Sequence, residues 1–287
     1  MRKLSGHTKP FAVLGHPIGH TLSPVMHNAS IEALGMDAIY LAFDVEPERL
    51  MDVLAAMSNM GFGGVNLTIP HKEVAFSGIA DLDESARRLG SVNTVEFRQE
   101  GLRGHSTDGQ GFVLAFEEAF QSGLSGRSVF VLGSGGAGRA VAITCAAEGA
   151  GHITVTDLDE ERPARVKNEI SGLFPDVTVE VAPPDKEAWT GICGNADIVL
   201  QATPVGMKEA DESLLQPKAF HDGQVVFDLV YMYPRTTFMK AAEEGGARVV
   251  NGLGMLLHQG AHSFTIWTGE QAAVDVMRKA LEKEVYG

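Results

Sequence analysis

Apolar runs rich in β-branched residues alternate with amphipathic helical patterns along most of this chain. In the C-terminal half, such runs predict strands at 128–132, 153–158, 177–181, 197–202 and 225–229. Helical patterns separate these strands, and that alternation is typical of a parallel sheet with helices on both faces. We therefore predict a Rossmann-like, doubly wound nucleotide domain at 111–254, followed by two further helical patterns.

The N-terminal part has its own series of strand and helix patterns. Strands are predicted at 11–15, 38–45, 64–70, 91–97 and 102–107, with helices between them. Ser23 before Pro24 is typical of an N-cap with proline in the first helical turn, and Asp83 is expected to cap another helix. The fold class is therefore α/β, with a first domain at 1–110. No proline- or glycine-rich linker separates the domains, so we expect them to face a shared cleft.

A glycine-rich turn joins the first strand of the second domain to its helix. Gly133, Gly135 and Gly138 have the G-x-G-x-x-G spacing: the first permits the tight turn, the second lets backbone approach a pyrophosphate, and the third allows close helix packing. A purely structural turn is the alternative, but the order strand, turn, helix favours dinucleotide binding. The candidate cofactor residues of this glycine loop are Gly133, Ser134, Gly135, Gly136, Ala137 and Gly138.

Composition narrows the possible partners. The 287 residues are enough for two domains, and the formal net charge of −14 argues against nucleic acid or an anionic membrane as partner. Basic residues Arg2, Lys3 and Lys9 precede no long apolar segment, so we expect no signal peptide and no membrane span. The two cysteines, Cys145 and Cys193, make no disulfide framework. A cytoplasmic protein is expected.

Two charged residues are placed for acid–base chemistry. Lys72 follows a strand and a proline, and Asp108 follows another strand. Ligands of open α/β sheets bind at the carboxyl ends of strands, where a lysine and an aspartate can hold an oxygen and transfer a proton. A surface lysine and a helix-capping aspartate are the alternative, which spacing alone favours.

Neutral hydroxyl and amide groups occupy further strand-end turns and are suited to a polyhydroxylated ligand. Capping and turn hydrogen bonds are the alternative role for each of them. They are Thr21, Ser23, Asn66, Thr68, Asn93 and Thr94. The histidines show no metal-ligand spacing, so no metal is expected.

Taken together, eight stretches of the sequence resemble the shikimate dehydrogenase family, in the family's order and over nearly the whole chain. They lie at 15–28, 64–72, 90–94, 104–108, 133–138, 202–207, 228–231 and 251–259. The resemblance implies NAD(P)-linked interconversion of shikimate and 3-dehydroshikimate, a step of the chorismate pathway. It also implies that residues 1–110 bind the substrate and that helices at 255–287 pack back on them.

The resemblance also implies individual roles. Lys72 and Asp108 match the catalytic pair, which reverses the inference from spacing alone. Thr21 and Ser23 match the hydroxyl pair that binds the substrate carboxylate. The further substrate positions are Thr68, Asn93, Tyr231 and Gln259, and the positions beside the nicotinamide are Leu229 and Gly252.

Asp157 leads to a prediction about the cofactor. It ends the second strand of the nucleotide domain, 19 residues after Gly138, near the spacing at which an acid meets the adenine ribose. In the family an Asn-Arg-Thr stretch usually follows this strand, and here 156–158 is Thr-Asp-Leu. A carboxylate there would repel a 2′-phosphate, so we predict NAD in preference to NADP. A helix-capping role for Asp157 is the alternative.

Two other functions stay open at this point. A quinate/shikimate dehydrogenase would show the same eight motifs, and quinate is then a possible second substrate. A nucleotide-binding regulator would keep the fold without the chemistry, but the presence of both Lys72 and Asp108 argues against it. The sequence allows a monomer or a homodimer.

Overall fold

The computed structural model describes residues 4–287, so Arg2 and Lys3 of the basic N-terminus lie outside the described residues. It divides into two compact units. The first comprises the chain up to Gly111 together with Leu256–Gly287, and the second is Phe112–Met255. The two-domain α/β prediction is confirmed.

Twelve strands, eleven helices and two short 3-10 turns, at Pro47–Arg49 and Pro217–Ala219, follow one another along the described residues 4–287. The strands are β1 (Lys9–Gly15), β2 (Ala38–Asp44), β3 (Gly64–Leu67), β4 (Asp81–Leu82), β5 (Thr94–Arg98), β6 (Gly101–His105), β7 (Ser128–Leu132), β8 (His152–Thr156), β9 (Thr178–Val181), β10 (Ile198–Gln201), β11 (Val225–Asp228) and β12 (Arg248–Asn251). The helices are α1 (Ser23–Ala33), α2 (Leu50–Asn59), α3 (His71–Gly78), α4 (Glu84–Leu89), α5 (Asp108–Phe120), α6 (Gly136–Ala147), α7 (Glu161–Leu173), α8 (Lys186–Cys193), α9 (Thr237–Glu244), α10 (Leu253–Thr268) and α11 (Val274–Tyr286).

The first unit contains a mixed sheet with strand order β2-β1-β3-β5-β6-β4. Ala12 and Leu14 of β1 pack into one core cluster, with Leu54 of α2. Phe11 and Val13 pack into a second cluster. Because both faces of β1 are buried, its sequence is a continuous apolar run without alternation.

The topology of this sheet brings the candidate site residues to one edge. Strands β1 and β3 are parallel, and β5 is antiparallel to both β3 and β6. The carboxyl ends of β1, β3 and β6 therefore lie at the same edge as the start of β5. Thr21, Lys72 and Asp108 follow those ends, and Asn93 directly precedes β5.

The second unit contains a fully parallel six-stranded sheet with order β12-β11-β10-β7-β8-β9. The direction of winding reverses between β7 and β10, which is the topological switch point at which such sheets bind ligands. The glycine loop follows β7 directly. The Rossmann-like prediction is confirmed.

Two local predictions about helix caps had different outcomes. Asp83 caps α4 as predicted, because its side chain accepts a hydrogen bond from the Ser85 amide at 3.0 Å. The prediction that Ser23 caps α1 is wrong: Ser23 is the first helical residue, and the preceding Leu22 holds the cap position without a side-chain hydrogen bond. The Leu22 carbonyl accepts from the Val25 amide at 3.1 Å, so the first turn forms one residue earlier.

Cys145 and Cys193 are free thiols buried in the second unit. Burial raises the pKa of Cys193 to about 12, and the pKa of Cys145 is raised for the same reason. Both therefore behave as small apolar core residues. Within the described range 4–287, no helix combines the length and hydrophobicity that a bilayer-spanning segment requires.

Candidate functional site

Lys72 and Asp108 form an ion pair at the common edge of the first sheet. Lys72 lies in the first turn of α3, and Asp108 begins α5. The Lys72 Nζ donates to Asp108 Oδ2 at 2.5 Å, and the two side chains are 30% and 13% exposed. The carboxylate thus orients the ammonium, while the Lys72 side chain as a whole stays partly exposed.

Asn93 holds the second oxygen of that carboxylate. Its Nδ2 donates to Asp108 Oδ1 at 2.9 Å and to Thr107 Oγ1 at 2.9 Å, while its Oδ1 accepts from the Thr107 amide at 2.8 Å. Gln259 of α10 contributes its Oε1 at 3.3 Å from the same Nδ2. Asn93 is buried, so these contacts fix the orientation of Asp108. Lys72, Asp108, Asn93 and Gln259 are therefore brought together.

A buried layer of polar side chains lies behind Asn93. Ser263 Oγ is 2.7 Å from Thr94 Oγ1 and accepts from Asn66 Nδ2 at 2.9 Å. Asn66 Oδ1 in turn accepts from the Tyr40 hydroxyl at 2.7 Å. Sequence reasoning selected Asn66 and Thr94 but missed Thr107, Ser263 and Tyr40. The spacing of Ser263 four residues after Gln259, on the same helix face, was an available signal.

Thr21 and Ser23 lie together where β1 leads into α1. The Thr21 hydroxyl donates to Ser23 Oγ at 3.3 Å, and it accepts from the Ser23 amide at 3.3 Å. Burial raises the pKa of Tyr40, while a hydrogen bond with Ser23 lowers it. Ser23 therefore adjoins the same buried polar layer through Tyr40. Its hydroxyl does not cap α1.

Thr68 follows β3 at the same sheet edge. Its amide donates to the Leu14 carbonyl at 2.9 Å, and its carbonyl accepts from the His71 amide at 2.8 Å. A Cβ on Gly15 would lie only 2.5 Å from the Thr68 methyl. Glycine at position 15 therefore leaves the space that the threonine side chain needs. The backbone of Thr68 is thereby fixed between β1 and α3.

The glycine loop has the geometry expected of a phosphate cradle. Gly133 has a φ of +95°, and a Cβ on Gly138 would lie 1.9 Å from the Gly133 carbonyl oxygen. A Cβ on Gly135 or Gly136 would meet nothing within 4 Å. Helix α6 begins at Gly136 without a side-chain cap, so its first amides are available to an anion. The donor set fits the pyrophosphate of a dinucleotide.

Asp157 is part of the construction of that loop. Its Oδ2 accepts from the Ser134 amide at 2.7 Å, and its Oδ1 accepts from the Asp159 amide at 3.1 Å. Arg162 NH1 lies 3.8 Å from Oδ1, and the Asp157 side chain is only 13% exposed. Both oxygens are thus engaged by the protein itself, and an arginine offsets the charge.

Leu229 and Gly252 lie together after the carboxyl ends of β11 and β12. A Cβ on Gly252 would be 2.2 Å from the Leu229 carbonyl oxygen, so only glycine permits this approach. Tyr231 follows two residues after Leu229, and burial raises its pKa. Among residues 4–287 there is no group of three or more side chains able to hold a metal ion.

Comparison with known proteins agrees with this geometry. The substrate-binding domain model of shikimate dehydrogenase matches residues 13–95, and the shikimate 5′-dehydrogenase C-terminal domain model matches 252–282. A shikimate dehydrogenase (NADP(+)) of Methanopyrus kandleri is 40% identical over 280 residues, 97% of this chain and 96% of the relative. The chain belongs to the shikimate dehydrogenase family. The family resemblance inferred from the eight motifs is confirmed.

Two further family members are similar over their whole lengths. A shikimate dehydrogenase (NADP(+)) of Moorella thermoacetica is 40% identical over 284 residues, 99% of this chain and 96% of the relative. The solved structure of shikimate 5-dehydrogenase from Listeria monocytogenes, in complex with shikimate and NAD, has a TM-score of 0.91 and 33% identity, covering 98% of this chain and 99% of that one.

The prediction of NAD in preference to NADP is wrong. The relatives from Methanopyrus kandleri and Moorella thermoacetica are both named for NADP(+), which contradicts it. The prediction treated Asp157 as a free carboxylate awaiting ribose hydroxyls. The structure instead shows its carboxylate hydrogen-bonded to the amides of Ser134 and Asp159, beside Arg162. Sequence spacing could not reveal that these contacts already engage the carboxylate.

Proposed function

We propose that this protein is an NADP-linked shikimate dehydrogenase that interconverts shikimate and 3-dehydroshikimate. The observation that carries the proposal is the Lys72–Asp108 pair, held by Asn93 at the sheet edge of a chain that belongs to this family. The glycine loop of the second unit supplies the site for the cofactor. The first unit, up to Gly111 with the C-terminal helices, is proposed to bind the substrate.

Lys72 is proposed to move the proton. The nicotinamide, when bound, supplies or accepts the hydride at C3 of the substrate. In the direction of reduction, the Lys72 ammonium gives one proton to the C3 oxygen, and the neutral amine regains a proton from water. In the direction of oxidation, the amine takes the proton from the C3 hydroxyl. Asp108 aligns the ammonium through its hydrogen bond, and Asn93 fixes Asp108.

Thr21 and Ser23 are proposed to bind the substrate carboxylate. Neutral hydroxyls give several hydrogen bonds to an anion without the cost of burying a cation. Support comes from Ser23, whose hydroxyl is buried next to Thr21 and is free of a capping role. Thr68, Asn93, Gln259 and Tyr231 are proposed to contact the ring hydroxyls, as their positions in the family motifs imply.

NADP is proposed as the cofactor because the similar relatives bear that name. The residues proposed to hold it are the glycine loop at the phosphates, with Leu229 and Gly252 beside the nicotinamide. Arg162, half exposed beside Asp157 and Asp159, and Arg165, exposed on the same helix, are the arginines of this segment proposed to pair with a 2′-phosphate.

Reduction of 3-dehydroshikimate by NADPH tests the proposal. We expect NADPH consumption that depends on both substrates, with shikimate as product. A protein that binds NADPH through the glycine loop but consumes none with 3-dehydroshikimate would instead be the nucleotide-binding regulator. A cytoplasmic location is proposed as well, in line with two buried, unpaired thiols.

A further inference from the structure

Asp228 is a buried carboxylate that the proposed chemistry does not use. It ends β11 with no exposed surface, in register with Gln201 of β10 and Asn251 of β12. Within the described part of the chain, no lysine, arginine or histidine forms a salt bridge with it. Burial raises its pKa to about 6. A buried charge without a cation is costly, so stability alone does not explain its presence.

Three donors converge on this carboxylate. Asp228 Oδ1 accepts from the Val230 amide at 3.0 Å and from Gln201 Nε2 at 3.2 Å. Its Oδ2 accepts from the Thr236 hydroxyl at 2.6 Å. Thr236 also caps α9, because its Oγ1 accepts from the Met239 amide at 3.1 Å. The carboxylate thus fixes both ends of the segment that joins β11 to α9.

Gln201 also forms hydrogen bonds with the loop that follows β10. Its Nε2 also donates to the Val205 carbonyl at 2.8 Å, and its Oε1 accepts from the Thr203 amide at 2.5 Å. One buried pair, Gln201 and Asp228, therefore organises the loops that follow two neighbouring strands. Both loops lie at the carboxyl edge of the sheet, where open α/β folds bind their ligands.

The segment held in this way contains the proposed nicotinamide contacts. Val230 adjoins Leu229, and its carbonyl accepts from the Gly252 amide at 3.4 Å. The tight approach of Gly252 to the Leu229 carbonyl leaves little freedom, so a shift of Val230 moves Leu229 and Gly252 together. The position of this backbone depends on the hydrogen bond between Val230 and Asp228.

We propose that Asp228 is a positioning residue, which fixes the backbone of Leu229 and Gly252 against the nicotinamide ring by holding Val230, Gln201 and Thr236. The inference rests on the proposed function, since it concerns the same cofactor. A carboxylate is required because its two oxygens accept from all three donors. An amide of the same size offers one acceptor oxygen and leaves Thr236 without its acceptor.

Substitution of Asp228 by asparagine tests this role. Because small displacements of reacting groups cost up to about a hundredfold in rate, we expect Asp228→Asn to lower kcat by about ten- to a hundredfold. The KM for NADP should change far less, because the phosphates are held by the glycine loop on a different strand. Thr236→Val should lower kcat in the same way, whereas Thr236→Ser, which keeps the hydroxyl, should restore it.

Gln224→Leu is the matched control, at the residue that directly precedes β11. Gln224 is buried at the amino end of β11 and donates to the carbonyls of Cys193 and Ala196 at 2.7 and 2.8 Å. We expect it to lower the melting temperature and leave kcat unchanged, which separates positioning from stability.

The outcomes distinguish this inference from the proposed function. If wild type oxidises shikimate and Asp228→Asn keeps its kcat, or if Thr236→Val and Thr236→Ser are equally active, Asp228 does not position the cofactor. Should Asp228→Asn not fold, the two Thr236 variants decide. A wild type without shikimate activity would overturn the proposed function, and this role with it.

Discussion

At the scale of single residues, the Lys72–Asp108 pair is the first object to test. Lys72→Ala and Asp108→Ala should each lower kcat by about a hundredfold or more, the range of a general acid–base group. The losses should not add in the double variant, because the two residues act as a unit. Steady-state kinetics with shikimate and NADP measure this. Turnover close to wild type in either single variant would remove that residue from the chemistry.

Ser23 allows a test of carboxylate binding without a change in the helix. Since Ser23 does not cap α1, Ser23→Ala should leave the melting temperature nearly unchanged. It should raise the KM for shikimate more than it lowers kcat, because the carboxylate carries the same charge throughout the reaction. The check is discrimination against a substrate analogue lacking the carboxylate. Equal discrimination by wild type and variant would show that Ser23 does not bind it.

His27 predicts how stability depends on pH. It stacks on Tyr40 with ring centroids 4.2 Å apart, and its side chain is fully buried. Burial lowers its pKa to about 3 from the ordinary 6.5. Between these values the unfolded chain binds a proton that the folded chain does not, so stability falls as the pH falls from 6.5 towards 3.

Urea unfolding at a series of pH values between 6.5 and 3 measures how the free energy of unfolding changes with pH. One such proton contributes about 1.4 kcal/mol per pH unit to the free energy of unfolding. His27→Phe, which keeps an aromatic ring in the stack, should reduce the acid-side slope by about this amount. An unchanged slope would mean that His27 is protonated in the folded protein.

The sequence indicated that Lys72, Asp108 and Asn93 lie at one edge of the sheet, but it did not show what each side chain contacts. Their positions at strand ends follow from topology and made them candidates, and the family motifs then decided in favour of the Lys72–Asp108 pair. The engagement of Asp157 by two loop amides depends on a rotamer and a turn that no spacing reveals. Ser263 was missed because its side-chain partners lie 156 or more residues away in the chain, and only its backbone partner Gln259 is near in sequence.

At the scale of elements, the glycine loop and α6 give a pair of contrasting substitutions. A Cβ on Gly138 would collide with the Gly133 carbonyl, so Gly138→Ala should lower stability by about 1–3 kcal/mol or more. Gly135 has a φ of −67° and open space around it, so Gly135→Ala should fold normally. It should still raise the KM for NADP on the order of tenfold, because the new methyl obstructs the pyrophosphate.

Thermal unfolding measures the loss of stability in Gly138→Ala, and NADP titration measures the loss of cofactor binding in Gly135→Ala. If Gly135→Ala binds NADP as tightly as wild type, the glycine loop does not cradle the phosphates. If Gly138→Ala is as stable as wild type, α6 can move away from β7 with little loss in the free energy of unfolding.

Element prediction succeeded where burial alone determines the pattern. The strands β7 and β11 are largely apolar, buried runs that pair on both sides within a parallel sheet, so composition reveals them. Short edge elements were missed: β4 has two residues, and β12 has the weakly patterned sequence Arg-Val-Val-Asn. At an edge, backbone pairing decides the strand, and the side chains carry little signal.

At the scale of the whole molecule, each unit has its own sheet and its own buried core. The first sheet is mixed and carries the proposed substrate site, whereas the second is parallel and carries the proposed nucleotide site. The two units thereby separate the chemistry proposed here: a hydroxyl and amide network around Lys72 in the first, and a backbone cradle with the Asp228 group in the second.

The most direct test of the account is a matrix of initial rates for NADP reduction, with shikimate or quinate as substrate and with wild type or Lys72→Ala as enzyme. We expect wild type to reduce NADP with shikimate at a higher kcat/KM than with quinate, and Lys72→Ala to lower this activity at least about a hundredfold. NADP reduction by quinate in preference to shikimate, or by neither, would contradict it.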